Sequence, residues 1–306
     1  MSLRGSCCPP NLMSMTLVRN QAEVQQTLDT GEMMDRVITS DRVNHGAVIA
    51  LAAVSLILLR KWIAGGVCKS RAGLDGKTVV ITGGNNGIGK ETAREMARRG
   101  ARVVMACRDL TSAENAADSI RRSTGNGNVV VRHLNLASLY SVRQFAKELI
   151  ATEERLDILI NNAGKIEFDD LFFDKNPYSP LASYKQSKLA NILFSRELAR
   201  RMKGTGVSSY SLHPGVIRTG LGRHIESWYP MMKTVMTLPS MLLMKTPWQG
   251  AQTSIYCAVT EGLERKSGCY FSDCADKDPA PEGKDDAVAR RLWEESARLV
   301  ELNDQC

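Results

Sequence analysis

The sequence predicts an α/β fold in which helices wind on both faces of a parallel sheet, and three observations support this prediction. Short β-branched or apolar runs at residues 77–82, 102–106, 128–134 and 156–160 are typical of buried parallel strands. Helical patterns separate these runs, so strands and helices alternate along the chain. A glycine-rich turn joins the first strand directly to the first helix.

The turn after the first strand consists of Gly83, Gly84, Asn85, Asn86, Gly87, Ile88 and Gly89. A helix is expected over residues 90–99, and Gly100 should end it. Glycines let the backbone approach a pyrophosphate, and the N-terminus of a helix offers N–H groups and a partial positive charge. In this strand–turn–helix setting, the glycine pattern predicts a dinucleotide-binding site.

The second strand, residues 102–106, is followed by Cys107, Arg108 and Asp109. A carboxylate at this strand end would bind a ribose hydroxyl and favour NAD, whereas an arginine accommodates the 2′-phosphate of NADP. Arg108 therefore predicts NADP. The alternative is that Arg108 only forms a surface ion pair with Asp109.

The connection after the fourth strand is unusually short. Residues 161–164 read Asn-Asn-Ala-Gly, and only nineteen residues separate Gly164 from Tyr184, where the next helix (184–202) is expected. A strand–helix–strand unit needs roughly 30 residues or more. The sheet should therefore lack one central helix–strand unit.

The loss of one complete unit preserves the alternation of strands and helices. We therefore expect the following strand, residues 207–212, to slide into the gap and pair with residues 156–160. Each buried, unpaired N–H or C=O group would otherwise cost about 1–3 kcal/mol.

The N-terminal region divides into two segments. Residues 1–45 show no clear period and are expected to be disordered. Residues 46–67 are apolar except for Arg60 and Lys61, and they just reach the about 20 residues of a spanning helix if these two side chains extend to the interface. A membrane anchor is the prediction, with a buried core helix or a cleaved signal as alternatives. Basic residues on the C-terminal flank would place the following domain on the cytosolic side or its equivalent.

The composition excludes several function classes. The 306 residues are 43% hydrophobic and 24% charged with a net charge of +7, which is ordinary for a globular protein. No nucleic-acid-binding module is recognisable, so no nucleic-acid partner is expected. The eight cysteines lack the spacing of metal ligands or of a disulfide framework, which predicts free thiols and no metal site.

Three motifs in this order resemble the short-chain dehydrogenase/reductase family: the glycine turn at 82–89, Asn-Asn-Ala-Gly at 161–164, and Tyr184-x-x-x-Lys188. The resemblance covers residues 74–302 and implies one NADP-binding domain with a Rossmann-like fold. Residues 106–109, 168–171, 186–191 and 212–215 also look like the retinol dehydrogenase group of this family.

This resemblance implies a membrane-associated, NADP-dependent (NADPH) oxidoreductase in the endoplasmic reticulum or the mitochondrial inner membrane. Its substrate would be lipophilic, such as a retinoid or another aldehyde, and the reaction would interconvert retinol and retinal or a similar pair. Residues 225–248, apolar and rich in methionine, would lie over the substrate or, alternatively, pack on their own domain. The sequence does not decide between a monomer and an oligomer.

The resemblance also implies roles for single residues. The glycine turn would bind the phosphates, Arg108 the 2′-phosphate, and Asn135 and Asn162 the adenosine side. Tyr184 would be the general acid/base, and Lys188, one helical turn on, would lower the pKa of the tyrosine and hold the nicotinamide ribose. Val216 and Thr219 would meet the nicotinamide amide.

Two features depart from the family pattern. Asn135 stands where the family has an aspartate against the adenine, although an asparagine keeps an acceptor oxygen. The short connection after Gly164 removes the family's serine, which binds the substrate carbonyl, and an asparagine of the proton relay. The alternative is therefore that this chain is a splice variant that binds NADP without catalysis or is unstable.

Overall fold

The computed structural model describes residues 47–162, 180–217 and 243–302, with side chains in the second range from residue 186 onward. The expectation for residues 1–45 lies outside these ranges. The chain divides into two compact units, residues 1–61 and 62–306. Helix α1, Ala47–Ala64, has 18 residues with a mean hydropathy of 2.0 and 0% of them buried. By length and composition, α1 could cross a membrane.

The main sheet has four parallel strands in the order β3-β2-β1-β4. The strands are β1 (Thr78–Thr82), β2 (Arg102–Cys107), β3 (Val129–His133) and β4 (Ile158–Ile160). Helices α2 (Gly87–Arg98), α3 (Leu110–Thr124) and α4 (Leu139–Thr152) connect them. The predicted parallel α/β sheet is confirmed, and each predicted strand end lies within two residues of the observed one.

The central strands are buried on both faces, as their continuous apolar character predicts. Val79 and Ile81 of β1 are fully buried in a cluster that includes Met96 of α2 and Ile120 of α3. Between them, Val80 points to the opposite face and packs in a second cluster with Phe145 of α4. The helices therefore cover both faces of the sheet, as a doubly wound fold requires.

Helix α2 begins at Gly87, three residues earlier than the sequence suggested, because Asn86 caps its N-terminus. The glycine turn thus becomes the first turn of the helix. At the other end the prediction is confirmed: Gly100 adopts a φ of 91°. The N–H of Gly100 donates to the carbonyl of Ala97 (3.0 Å), and that of Ala101 donates to Met96 (3.2 Å), which is the Schellman pattern.

The second half of the chain builds a separate three-stranded sheet in the order β5-β6-β7. Its elements are α5 (Pro180–Arg201), β5 (Ser211–His213), α6 (Pro247–Val259), β6 (Tyr270–Ser272), β7 (Ala275–Lys277) and α7 (Asp286–Leu299). Short 3₁₀ helices occupy Leu263–Lys266 and Pro281–Lys284. Strand β5 runs parallel to β6, and β7 is antiparallel to β6.

The expected pairing of residues 207–212 with the fourth strand is wrong. Strand β5 pairs with β6, and β4 pairs only with β1 among the described strands. The open edge is inexpensive because β4 has three residues and the side chain of Leu159 is 53% exposed, so water can reach this part of the sheet. The chain before β5 is already held elsewhere, since Gly268 N–H donates to the Ser209 carbonyl (2.7 Å).

The segment between α1 and the first strand lies on the domain. The N–H of Cys68 donates to Gln252 Oε1 of α6 (3.1 Å), and Ser70 Oγ donates to the carbonyl of Val259 (3.0 Å). Arg99, the C-cap of α2, donates to the carbonyls of Ser70 (3.0 Å) and Ala72 (2.8 Å). The compact unit therefore includes residues that precede the predicted domain start at residue 74.

Candidate functional site

The glycine turn folds tightly at the carboxyl end of β1. Gly83 and Gly87 have φ values of 63° and 55°, a region that favours glycine. The N–H of Gly83 donates to the carbonyl of Ala106 at the end of β2 (2.9 Å). A Cβ on Gly89 would overlap the carbonyl oxygen of Gly83 and lie 2.6 Å from Asn162 Nδ2. Only glycine fits at Gly89, and the N-terminus of α2 opens toward this turn.

The remaining residues of the turn support its shape. Gly84 faces Met105, whose Cγ would lie 3.2 Å from a Cβ at this position. Asn85 Nδ2 donates to Ser112 Oγ (3.3 Å), which joins the turn to the start of α3. Asn86 Oδ1 accepts from the Gly87 N–H (2.7 Å), and Ile88 packs against the core. An open cavity of about 420 Å³ follows, lined by Asn85, Lys90, Asp109, Thr111, Ser112, Asn115 and Ala116.

Arg108 is exposed at the carboxyl end of β2, beside the turn. Asp109 does not bind it: Asp109 Oδ1 accepts from the Ser112 N–H (3.0 Å) and caps α3. Within the described ranges, no salt bridge includes Arg108. The alternative of a surface pair between Arg108 and Asp109 is therefore not what the structure contains, and the guanidinium can meet an anion.

Two asparagines complete this edge of the sheet. Asn162 follows β4, and its N–H donates to Thr82 Oγ1 (3.1 Å), which holds it beside Gly89. Asn135 follows β3; its Oδ1 accepts from the Ala137 N–H (3.1 Å) and its own N–H donates to Ser141 Oγ (3.0 Å). The ends of four parallel strands thus bring the turn, Arg108, Asn135 and Asn162 to one edge, where ligands of such sheets bind.

The predicted catalytic residues lie in the second half of the chain. Tyr184 and Lys188 both belong to α5, four residues apart, so their Cα atoms lie on the same side of the helix. The side chain of Tyr184 lies outside the described residues, and that of Lys188 is exposed. Helix α5 is held by α7, because Phe194 stacks on Trp293 with 5.3 Å between ring centroids.

The predicted nicotinamide contacts are described only in part. Val216 is 64% exposed, and its carbonyl accepts from the N–H of Lys245 (2.8 Å). Thr219 lies outside the described residues, as does the methionine-rich segment up to residue 242.

Sequence reasoning missed a charged group around β5. Lys245 is only 7% exposed and forms an ion pair with Asp273. His213, at the end of β5, has its pKa lowered by burial first and then by the positive charges of Lys245 and Lys188, against an opposing contribution from Asp273. A single lysine in a sequence is normally a surface residue, so the pattern gave no signal for Lys245.

Comparison with known proteins identifies the family. The family model for short chain dehydrogenases matches residues 77–174, which contain the glycine turn and the Asn-Asn-Ala-Gly motif. Retinol dehydrogenase 13 of Homo sapiens is 42% identical, with 84% of this chain and 94% of that protein covered. Retinol dehydrogenase 12 of Homo sapiens is also 42% identical, covering 79% of this chain and 92% of that protein. The chain belongs to the short-chain dehydrogenase/reductase family, a family of oxidoreductases.

The alignment with retinol dehydrogenase 13 contains positions that this chain does not fill. The comparison with retinol dehydrogenase 13 of Homo sapiens extends over 311 positions, whereas 84% of the 306 residues here is about 257. The difference between 311 and 257 leaves about 54 positions without a residue of this chain. That length exceeds the roughly 30 residues of a strand–helix–strand unit.

Solved structures show the same fold. A crystal structure of an uncharacterized protein from Mycobacterium Paratuberculosis superimposes with a TM-score of 0.59 at 28% identity, covering 78% of this chain and 98% of that one. The L-sorbose reductase from Gluconobacter frateurii, complexed with NADPH and L-sorbose, gives a TM-score of 0.53 at 20% identity, covering 65% and 95%. The likeness to the reductase concerns the fold alone.

The close approach at Gly89 yields a first prediction. Gly89→Ala should lower the melting temperature and abolish NADPH binding, because the added methyl group must displace the Gly83 carbonyl or Asn162. Gly127→Ala is the matched control, since a Cβ there has nothing within 4 Å. Thermal unfolding and NADPH fluorescence titration measure both effects. Unchanged NADPH affinity in Gly89→Ala would show that the turn is not the phosphate site.

Proposed function

We propose that this chain is an NADP(H)-dependent oxidoreductase that interconverts a lipophilic alcohol and its aldehyde, with retinol and retinal as the first pair to test. The observation that carries the proposal is the carboxyl edge of the main sheet, where Gly89 lies beside Asn162 and Arg108 follows the neighbouring strand β2. A Cβ at Gly89 would overlap the Gly83 carbonyl and crowd Asn162, so glycine at this position keeps the turn closed at the start of α2, where backbone N–H groups can bind a pyrophosphate. The names of the similar retinol dehydrogenases support the substrate class.

Each residue has a defined task in this proposal. Backbone N–H groups at the start of α2 bind the pyrophosphate, and the guanidinium of Arg108 binds the 2′-phosphate. Bound NADPH supplies the hydride for the carbonyl carbon. Tyr184 donates the proton to the carbonyl oxygen, and Lys188 stabilises the tyrosinate form by its positive charge.

The preference for NADP is tested at Arg108. The unmutated chain should bind NADPH more tightly than NADH, and Arg108→Ala should reduce that preference about tenfold, the effect of one charge-assisted contact to a phosphate. Arg122→Ala is the control, because Arg122 is an exposed arginine at the far end of α3. Fluorescence titration gives the affinities. Equal affinity of the unmutated chain for both cofactors would refute the assignment of Arg108.

A second candidate function is NADP(H) binding without turnover. The interruption between β4 and β5 favours it, because the phosphate half and the tyrosine helix lie on different sheets. The resemblance to the family also implies that its serine is missing from this chain, so the substrate carbonyl would lose a partner. A displacement of about 1 Å between reacting groups can cost about 10²-fold in rate.

Turnover distinguishes the two candidates. The first candidate predicts reduction of all-trans-retinal by the purified chain with NADPH, whereas the second predicts turnover near background that Tyr184→Phe lowers no further. The assay should include NADPH titration on the same sample, so that loss of turnover is separated from loss of binding. Robust reduction that disappears in Tyr184→Phe would establish the first candidate as an active enzyme and reject the second.

We propose that α1 anchors the chain in a membrane, either that of the endoplasmic reticulum or the mitochondrial inner membrane. The full chain should remain in the pellet after a carbonate wash, while a chain that starts at Trp62 should be released. The shorter chain keeps the contacts of Cys68 and Ser70 with α6, so its release would report the loss of the apolar segment and not unfolding. Release of the full chain would exclude an integral anchor, and fractionation identifies the organelle.

A further inference from the structure

Lys245 and Asp273 form an ion pair that the tasks assigned above do not use. Lys245 is 7% exposed, and buried lysines are rare unless they are paired. Its Nζ contacts Asp273 Oδ1. Ser272 Oγ donates to Asp273 Oδ2 (3.3 Å), so the carboxylate is held on both oxygens. Four segments of the chain converge at this pair, and they contain Gly65, Gly215, Lys245 and Asp273.

Two glycines make space for the side chains of Lys245 and Asp273. A Cβ on Gly215 would lie 2.8 Å from both Cδ and Cε of Lys245, so the stem of the lysine passes directly over the Gly215 backbone. A Cβ on Gly65 would overlap Asp273 Oδ1 and lie 2.5 Å from Lys245 Nζ. Both glycines also have positive φ values, 87° and 71°. Lys245 is therefore enclosed by backbone on two sides, whereas the side chain of Asp273 is 46% exposed.

The backbone of Asp273 is in an uncommon conformation. Asp273 and Cys274 have φ values of 54° and 56°, and they form the two-residue turn between β6 and β7. A two-residue hairpin turn of type I′ requires a left-handed backbone at both positions, so the hairpin itself fixes the backbone of Asp273. The Cys274 N–H donates to Thr253 Oγ1 of α6 (3.4 Å), so the same helix that follows Lys245 holds the turn.

Lys245 is also bonded to the backbone that would face the nicotinamide. Its N–H donates to the carbonyl of Val216 (2.8 Å), and Ile217 and Lys245 form a parallel β-bridge. The side chain of Ile217 lies where a Cβ of Gly250 would be, so α6 packs directly on this segment. The position of Val216 therefore depends on Lys245 from two directions.

We infer that Lys245 and Asp273 are positioning residues for the nicotinamide end of the cofactor: their ion pair holds residues 215–217 at the depth at which Val216 meets the carboxamide. This inference rests on the proposed function. It distinguishes the two ends of the cofactor, because the adenosine end lies on the main sheet, at Arg108 and Asn162, and does not depend on the pair.

The surrounding charges predict an order of effects. His213 is close enough to the pair to interact with the charges of both Lys245 and Asp273. Asp273→Asn would leave the buried ammonium of Lys245 beside His213 without its counter-ion, which should weaken NADPH binding more than removal of the whole pair. The double variant Lys245→Met/Asp273→Asn should therefore bind NADPH more tightly than Asp273→Asn alone.

The experiment compares two ligands on the full chain in detergent. NADPH carries both ends, whereas adenosine 2′,5′-bisphosphate carries only the adenosine end. In calorimetric titrations, Lys245→Met should lower the affinity for NADPH about tenfold. The affinity for adenosine 2′,5′-bisphosphate should stay within about twofold of that of the unmutated chain. Lys266→Met is the matched control: it removes a lysine that pairs with Asp276 of the same hairpin (3.0 Å) but is 49% exposed, and it should change neither affinity.

Each outcome of this experiment either supports or overturns the positioning role of Lys245 and Asp273. A loss confined to NADPH, with partial recovery in the double variant, supports the positioning role. An equal loss for both ligands in Lys245→Met indicates a merely structural lysine and overturns the inference, as does unchanged NADPH affinity. If the unmutated chain binds adenosine 2′,5′-bisphosphate no better than adenosine and does not bind NADPH, the proposed function fails first, and this inference fails with it.

Discussion

Helix α6 is the element on which the arrangement of the domain depends. The two sheets share no strand pairing in the described part of the chain, yet α6 packs against α2 and β4 of the first and against β5 and β6 of the second. Four of its seven buried residues are small, Gly250, Ala251, Thr253 and Ser254, and they allow neighbouring backbones to approach closely. A Thr246–Gln249 capping box secures its N-terminus. In place of a continuous sheet, helix packing determines how far apart the two halves lie.

This arrangement divides the candidate site between two rigid parts. Strand ends of the main sheet place the glycine turn, Arg108 and Asn162 at one edge, and their hydrogen bonds run to neighbouring strands. Strand β5, the residues that follow it and Lys188 lie in the other part, tied to α6 through Lys245 and Asp273. Under the proposed function, hydride transfer would require both parts in register, whereas binding of the phosphates would require only the first. Cofactor binding and catalysis could then be lost separately.

Particular elements show why sequence reasoning succeeded in the first half. Strands β1 and β2 are covered by helices on both faces, so both appear in the sequence as continuous apolar runs. The predicted bounds of these runs agree closely with the observed strands. Gly100 ended α2 as predicted because its left-handed φ is a local requirement. The pairing of β5 was mispredicted since the energy of an open strand edge depends on its exposure, and the exposure of Leu159 is a property of the assembled fold. The burial of Lys245 was overlooked because the residues next to a lysine in the sequence do not indicate whether it is buried.

The sequence by itself determined the alternation of strands and helices, the glycine turn, the residues at the strand ends and the shortness of the connection after Gly164. These features follow from local patterns, since period, chain length and backbone freedom act within a few residues. Only the tertiary structure decided which strands pair, that α6 bridges two sheets, and that Lys245 meets Asp273 beneath Val216. Those contacts join residues far apart in the chain, and their free energies depend on burial and on neighbours that no local pattern specifies.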